Sequence, residues 1–435
     1  MATTVTPLEV SVEATLCTIR AQEAQWRAQP FTIFRVPAYV RERSRTAYEP
    51  RMVSIGPYYH GAAALRAVED HKWRYLHDLL SRNAALSSSA LVELVRSMEP
   101  RARACYSERP LLASDDFVRM LLLDGCFILE LFIKWHVKET AGGGGGSELD
   151  WVRTLISTDL LLLENQIPFF ILERLYDVVV YLAGVQGGVV PPLVDLLLRH
   201  MRPQEGPMTP PPPSSGTREI HHLLHLYYEC SVPKRPPPPK ASATASPQRV
   251  KLIPCACEMR AAGVKFMRRS SAKDMYDVRF DGSRGVMEMP TVAIDDMTRP
   301  ILVNLIAFEQ TQGRAAEPRM VTSYVSLMSM LVCTAQDVEL LRRRRILDNL
   351  LADDKEEARF FSRLGEGSAV DYEQHVFAGV HDDVRRYCES WWHRNRAALR
   401  RNYFGSPWSA ISFVVAGLLV AIAATQTYFT VFPRE

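Results

Sequence analysis

The run from Trp408 to Phe432, WSAISFVVAGLLVAIAATQTYFTVF, carries no charged residue. At ~1.5 Å per residue a helix over it reaches ~37 Å, enough for the ~30 Å hydrocarbon core of a bilayer. Trp408 stands near one end, with Tyr428, Phe429 and Phe432 near the other, where an aromatic belt falls. The run therefore predicts a membrane helix, with Phe413, Leu418 and Leu419 as its apolar body between Trp408, Tyr428 and Phe432. A buried core helix is the competing reading, because Ser409, Ser412, Thr425, Gln426 and Thr427 moderate the hydrophobicity. Arg394, Arg396, Arg400 and Arg401 precede the run, and Arg434 beside Glu435 follows it. By the positive-inside rule, the larger part of the chain is expected in the cytosol, with the arginines near anionic headgroups. The opening Met1–Glu9 has no basic segment leading into an apolar one, so no signal peptide is expected.

Two other apolar stretches fail the same test. Phe117–Trp135 contains Arg119, Asp124, Glu130 and Lys134, and Leu160–Val180 contains Glu164, Glu173, Arg174, Asp177 and Pro168. A charge at the bilayer centre costs ~2.5–3.5 kcal/mol on insertion scales, so both are expected in a protein core. The 435 residues suffice for that core, with 47% apolar and 23% charged, ordinary for a globular chain. A net charge of +3 argues against a dedicated nucleic-acid binder. Eight scattered cysteines without a CxxC pair, and no Asn-x-Ser/Thr acceptor, fit a reduced, cytosolic body.

Five consecutive glycines at Gly142–Gly146 and the proline-rich runs Pro203–Gly216 and Pro233–Pro247 read as exposed linkers; the proline-rich pair brackets a helical stretch, Thr217–Cys230. Elsewhere the periodicity is helical. Leu8, Val12, Leu16 and Ile19 recur on one face, as do Leu65, Val68, Leu76 and Leu79, and Ser114-Asp115-Asp116 makes a helix start. Tyr324–Leu347 and Val384–Tyr403 continue the pattern. Asp277–Phe280, Val286–Met289 and Thr291–Ile294 are short β-type runs separated by Asp281-Gly282 and Arg284-Gly285. The predicted fold is mainly α: a multi-helix globular body with a small β hairpin or meander and one C-terminal transmembrane helix. Its expected segments are a helical 1–30, a first half 31–202, linkers over 203–249, a second half 250–403 and the span 408–432.

Several blocks then occur in a telling order: Ile33-Phe34-Arg35-Val36-Pro37, Tyr48–Gly61 (YEPRMVSIGPYYHG), Glu69–Trp73, Asp124–Glu130 (DGCFILE), Asp159–Phe169 (DLLLLENQIPF), Asn304–Gln310 (NLIAFEQ), and Ser406-Pro407-Trp408 before the apolar run. Over residues 31 to 432 the set resembles the plant "domain of unknown function 247" family. The resemblance implies a helical body with one C-terminal membrane helix and carries no catalytic residues over. It also implies a link to grass self-incompatibility, in which some members are candidate male determinants recognising small secreted proteins. The chain departs from the family at Cys255–Met259, where Ala-Thr-Glu-Leu is usual, and in its long Gly and Pro insertions.

Candidate chemistry is sparse. His221 and His225, at i and i+4, have the spacing of a zinc pair, but His222 stands where a general base would, so a partly exposed helix is preferred. Cys255 and Cys257 are too close for zinc-knuckle spacing and read as core or free thiols. Asp295-Asp296 could do acid–base work, but acids in the first turn of a helix need no such role. Glu164-Asn165-Gln166 reads as a hydrogen-bonded network linking helices, and Ser54–Gly61 as a docked turn rather than a Ser/His nucleophile site. Arg342–Arg345 reads as a solvated helix face. The functional expectation is a membrane-anchored, non-enzymatic recognition protein that binds a protein or peptide, with no cofactor, metal or nucleic acid. The alternative is a membrane-tethered hydrolase or metal-dependent enzyme using Asp295, Asp296 or the histidines.

Overall fold

The computed structural model describes residues 6–28, 31–82, 86–140, 152–183, 190–201, 219–234, 252–312, 318–349, 354–364 and 375–390, with positions 415, 418–420 and 422–427. Along the chain come α1 (Pro7–Ala28), α2 (Ala38–Arg43), α3 (Arg45–Tyr48), α4 (Arg66–Ser81), α5 (Ser88–Ala104), α6 (Ser114–Thr140), α7 (Arg153–Asp159), α8 (Phe169–Ala183), α9 (Leu193–His200) and α10 (Leu223–Ser231). There follow α11 (Ala256–Ala261), β1 (Lys265–Arg268), β2 (Arg279–Asp281), β3 (Val286–Met289), β4 (Val292–Ile294), α12 (Thr298–Thr311), α13 (Met320–Leu331), α14 (Ala335–Arg343), β5 (Leu347–Asn349), α15 (Asp354–Leu364) and α16 (Ala378–Glu389). The fold is mainly helical with small sheets, as expected. Two compact units result: Met1–Lys234 with Asp296–Ala316, and Arg235–Asp295 with Glu317–Glu435.

In the first unit α6 is the core element, flanked by α4, α5, α8 and α9. It begins with Asp115 and Asp116 at the positive end of its dipole, as the sequence predicts. Its charges are paired, which is how so apolar a helix carries them in a protein core. Asp124 holds Lys72 of α4 at 2.6 Å, Glu130 meets Arg82, and Lys134 reaches Asp78 at 2.7 Å. Gly125 sits where a β-carbon would run into Leu175 of α8, so its lack of a side chain sets the approach of the two helices. α12 returns to this unit and packs on α3 and α10.

In the second unit β2 and β3 form an antiparallel hairpin, joined across Asp281–Arg284 with Gly285 at φ +64. It is not a meander. β1 pairs parallel with β3, and β4 leaves to pair parallel with β5, Val292 opposite Leu347. The predicted helix over Tyr324–Leu347 is therefore corrected. It breaks at Cys333-Thr334, where Thr334 and Asp337 form a capping box, and its two halves bend by 105°. The Schellman-type bond from Ile346 N–H to the Leu341 carbonyl ends α14, and Leu347 enters a strand. Val384 to Glu389 is helical in α16, and 391–403 lies outside the described residues.

The membrane helix expected over Trp408–Phe432 is not supported among the described residues. Val415, Leu418–Val420 and Ile422–Thr427 are helical and exposed, and the apolar stretch Leu418–Thr427 is ~15 Å long, half a bilayer core. No single helix among the described residues is long and apolar enough to cross a membrane. Trp408, Phe413, Tyr428 and Phe432, and the arginines 394, 396, 400 and 401, lie outside the described residues, as do the Gly142–Gly146 and Pro203–Gly216 runs and most of Pro233–Pro247. The bent pair α13–α14 meets a length and composition test for a broken span, but α13 is buried almost throughout, as a core helix is.

Candidate functional site: the buried cluster of residues 159–166

Between α7 and α8 the chain runs without helix through Leu160–Pro168, and the segment is buried. A buried backbone that lacks its own ladder must find other partners. Here short turns supply some of them and side chains the rest. Gln166 Nε2 donates to the Leu160 and Leu162 carbonyls, both at 2.8 Å, and its Oε1 accepts from Leu224 N–H at 3.3 Å. Asn304 of α12 accepts from Leu163 N–H at 2.8 Å and donates to the Ala47 and Pro300 carbonyls.

The segment in turn serves the loop Arg51–Gly56. Asp159 accepts from the N–H groups of Arg51, Met52 and Val53 at 2.6–3.0 Å. Asn165 Oδ1 accepts from Ile55 N–H at 2.7 Å, while Nδ2 donates to the Val53 and Asp159 carbonyls. Gly56 N–H donates to Asp124 at 2.7 Å, and Lys72 Nζ donates to the Ser54 carbonyl, Glu69 and Asp124, each at 2.6 Å. Gly56 adopts φ +76, and a β-carbon there would strike the Gln166 carbonyl. Only glycine fits that close approach.

Glu164 closes the cluster from the other side. It accepts from Val36 N–H at 2.7 Å, Arg41 Nη1 at 3.0 Å and the Tyr59 hydroxyl at 2.7 Å. Burial and this hydrogen bond raise the Tyr59 pKa, so the phenol stays a donor. Burial pushes Asp159 up to about 6 against the pull of three backbone N–H groups. Burial opposes the charge on Lys72, but Asp124 and Glu69 outweigh it and lift its pKa. The neighbouring segments carry two arginine–aromatic pairs: Arg35 lies 4.9 Å from the ring centroid of half-buried Tyr58, and Arg43 lies 5.4 Å from that of exposed Tyr39.

The network that the sequence predicts at Glu164-Asn165-Gln166 is present, and the Ser54–Gly61 turn docks on it. Sequence reasoning did not connect Lys72, Asp124, Asp159 and Asn304 to it, although each stands in one of the ordered blocks. Ser54 engages through its carbonyl, not as a nucleophile paired with His60.

The other candidates do not join this cluster. His221 precedes α10 rather than lying on it, and α10 buries Leu223, Leu224, His225, Leu226 and Cys230, so the partly exposed helix expected there is corrected. His225 Nδ1 accepts from His221 N–H at 3.1 Å, and its Nε2 lies 3.5 Å from Glu229. His222 caps α10 and burial drives its pKa well down. Cys255 caps α11, and burial with the Asp337 carboxylate pushes the Cys255 and Cys257 thiols up to about 11, leaving both as thiols near neutrality. Asp295 and Asp296 precede α12, so neither stands in its first turn as the sequence suggests. Arg342 and Arg343 pair with Asp354 and Glu339 at the end of α14. No group of three or more His, Cys, Asp or Glu among the described residues is placed to hold a metal ion.

The model of a family described as plant protein of unknown function, DUF247, matches residues 33–422. UPF0481 protein At3g47200 of Arabidopsis thaliana is 28% identical, over 91% of this chain and 85% of its own. Putative UPF0481 protein At3g02645 of the same plant is 21% identical, over 92% of this chain and 90% of its own. No solved structure matches the chain.

Proposed function

The chain belongs to the plant DUF247 family, and from that premise we propose that it is a membrane-anchored, non-enzymatic recognition protein whose helical body binds a protein or peptide partner. The observation that carries the reading is the use made of the family segment. Asp159, Glu164, Asn165 and Gln166 direct their polar atoms at backbone and at Arg41 and Tyr59, so they fix a surface rather than form a reaction centre. The segments they hold carry Arg35, Tyr39, Arg43 and Tyr58, residue types that anchor protein interfaces. A backbone held from beneath keeps such side chains in place and lowers the cost of ordering them on binding.

Anchoring is supported by the charge-free run Trp408–Phe432, and the orientation by Arg394, Arg396, Arg400 and Arg401 ahead of it, which set the body on the cytosolic side. A part like that of the grass self-incompatibility members, recognising secreted proteins, calls for the opposite orientation.

The experiment is proximity labelling by the full-length chain in plant cells, with and without Tyr39→Ala and Tyr58→Ala together. Specific loss of labelled proteins from the double variant, at unchanged melting temperature, supports the reading. An identical labelled set contradicts it. Stoichiometric metal in the purified protein, lost on His221→Ala with His225→Ala, would overturn it in favour of a metal-dependent enzyme.

A further inference from the structure

α1 is a 22-residue helix ahead of the residues that the family model matches. It is built to start where it does. Pro7 occupies its first position, Thr6 N–H donates to Glu9 at 2.6 Å, and Glu9 N–H returns to Thr6 Oγ1 at 3.3 Å, a capping box. Its apolar residues nevertheless face water: Leu8 is 73% exposed, Val12 49%, Leu16 38% and Ile19 40%. At ~100° per residue these four fall within an arc of about 80°. Helices in proteins draw most of their stability from covering such a stripe.

The charges beside the stripe say what covers it. Glu9, Glu13 and Arg20 fall within about 40° of one another along one flank, acids toward the start of the helix and the base toward its end. Glu13 and Arg20 meet at 3.3 Å along that flank, both well exposed. The opposite flank carries Ser11 and Thr15 and offers no charge to match. Two copies related by a dyad across the helix axis bring like flank against like flank. Leu16 then meets Leu16 of the second copy, Val12 meets Ile19, and Glu13 comes within reach of Arg20, twice by symmetry. A parallel pair instead sets the charged flank against the uncharged one.

We propose that α1 is a self-association surface through which two copies of this chain pair as antiparallel helices. The inference does not rest on the recognition role proposed above.

The test is the protein mass of the full-length chain in detergent, by size exclusion with light scattering. The wild type is expected as a dimer, and Val12→Asp with Ile19→Asp as a monomer. Glu13→Arg or Arg20→Glu alone shifts the population to monomer, and the two together restore the dimer. To fix the orientation, Val12→Cys and Ile19→Cys chains bearing different tags, both with Cys17→Ser, are mixed and oxidised. A mixed 12–19 cross-link is expected. A monomeric wild type overturns the proposal, as do a dimer indifferent to these substitutions and cross-linking that favours 12 with 12. A monomer whose vesicle binding depends on Val12 and Ile19 overturns it in favour of a membrane surface.

Discussion

The side-chain amide of Asn165 pairs with the backbone on either side of Ser54 as a neighbouring strand would, Oδ1 accepting from Ile55 N–H at 2.7 Å while Nδ2 donates to the Val53 carbonyl at 3.0 Å. Neither half of the pairing survives Asn165→Ala, which leaves buried N–H and C=O groups without partners. The expected loss is ~3–4 kcal/mol of stability, read by denaturant unfolding. Asn165→Asp keeps the acceptor but turns a carboxylate toward two carbonyls, and it is expected to be no milder. A variant within ~0.5 kcal/mol of the parent would show that this pairing does not hold the loop.

Gly56 is the point where the loop touches the segment. Gly56→Ala forces a side chain into φ +76 and against the Gln166 carbonyl. Gly61 also has a positive φ, but nothing lies within 4 Å of where its β-carbon would be. Gly61→Ala therefore costs only the left-handed penalty, ~1–2 kcal/mol, and Gly56→Ala is expected to cost clearly more. Equal melting temperatures for the two variants would contradict the close approach.

Glu164 tests the link from buried layer to surface. Glu164→Gln keeps an acceptor for Val36 N–H and loses the charge that faces Arg41. Glu164→Ala removes both and leaves a buried donor unmet, so it is expected to cost ~3–5 kcal/mol against ~1–3 kcal/mol for the glutamine. Tyr59 reports the change directly, because its pKa is raised by burial and by Glu164 together. Its spectrophotometric titration moves toward the ordinary tyrosine range in Glu164→Ala, and an unmoved titration would count against the hydrogen bond.

How far the sequence reaches is visible in these residues. The apolar run Phe117–Trp135 and the start Ser114-Asp115-Asp116 point to α6 as a core element, because both are local signals. The polar run Glu164-Asn165-Gln166 inside an apolar stretch signals a network, since buried polar groups need partners. Their identity is not local: Asn165 reaches Ile55 across 110 positions and Asn304 reaches Leu163 across 141. The strand at Leu347 escapes for the same reason, as its partner Val292 lies far back in the chain. His221 and His225 have zinc-pair spacing only within one helix, yet α10 begins two residues after His221.

Acid acts through groups of opposite sign. In the second unit, His375 and His381 lie with ring centroids 4.6 Å apart, and burial lowers them to about 3 and about 4; His381 adds to that at His375, while Asp382 partly offsets it at His381. The unfolded chain takes up these protons near the ordinary value of 6.5, so their contribution is complete above that pH and is lost as pH falls toward about 4. In the first unit burial raises Asp159 to about 6 and Glu130 to about 7, which favours the protonated folded state and weakens stability as pH rises from about 4 to 7, and buried His200 and His222, both lowered, offset this by losing stability as pH falls. Hydrogen exchange from pH 7 to pH 4.5 is expected to lose protection first around 375–389, by an amount on the order of a few kcal/mol. His381→Phe should blunt that loss, and earlier opening of α6 would contradict the assignment.

The central claim is a recognition body held at a membrane and facing the cytosol, and protease protection tests it most directly. Sealed vesicles bearing the N-terminally tagged chain are washed with alkaline carbonate and exposed to protease with and without detergent. The account predicts that the chain stays with the membrane and that the body is digested without detergent. Release by carbonate would contradict the anchor at Trp408–Phe432, and a body protected until detergent is added would contradict the orientation.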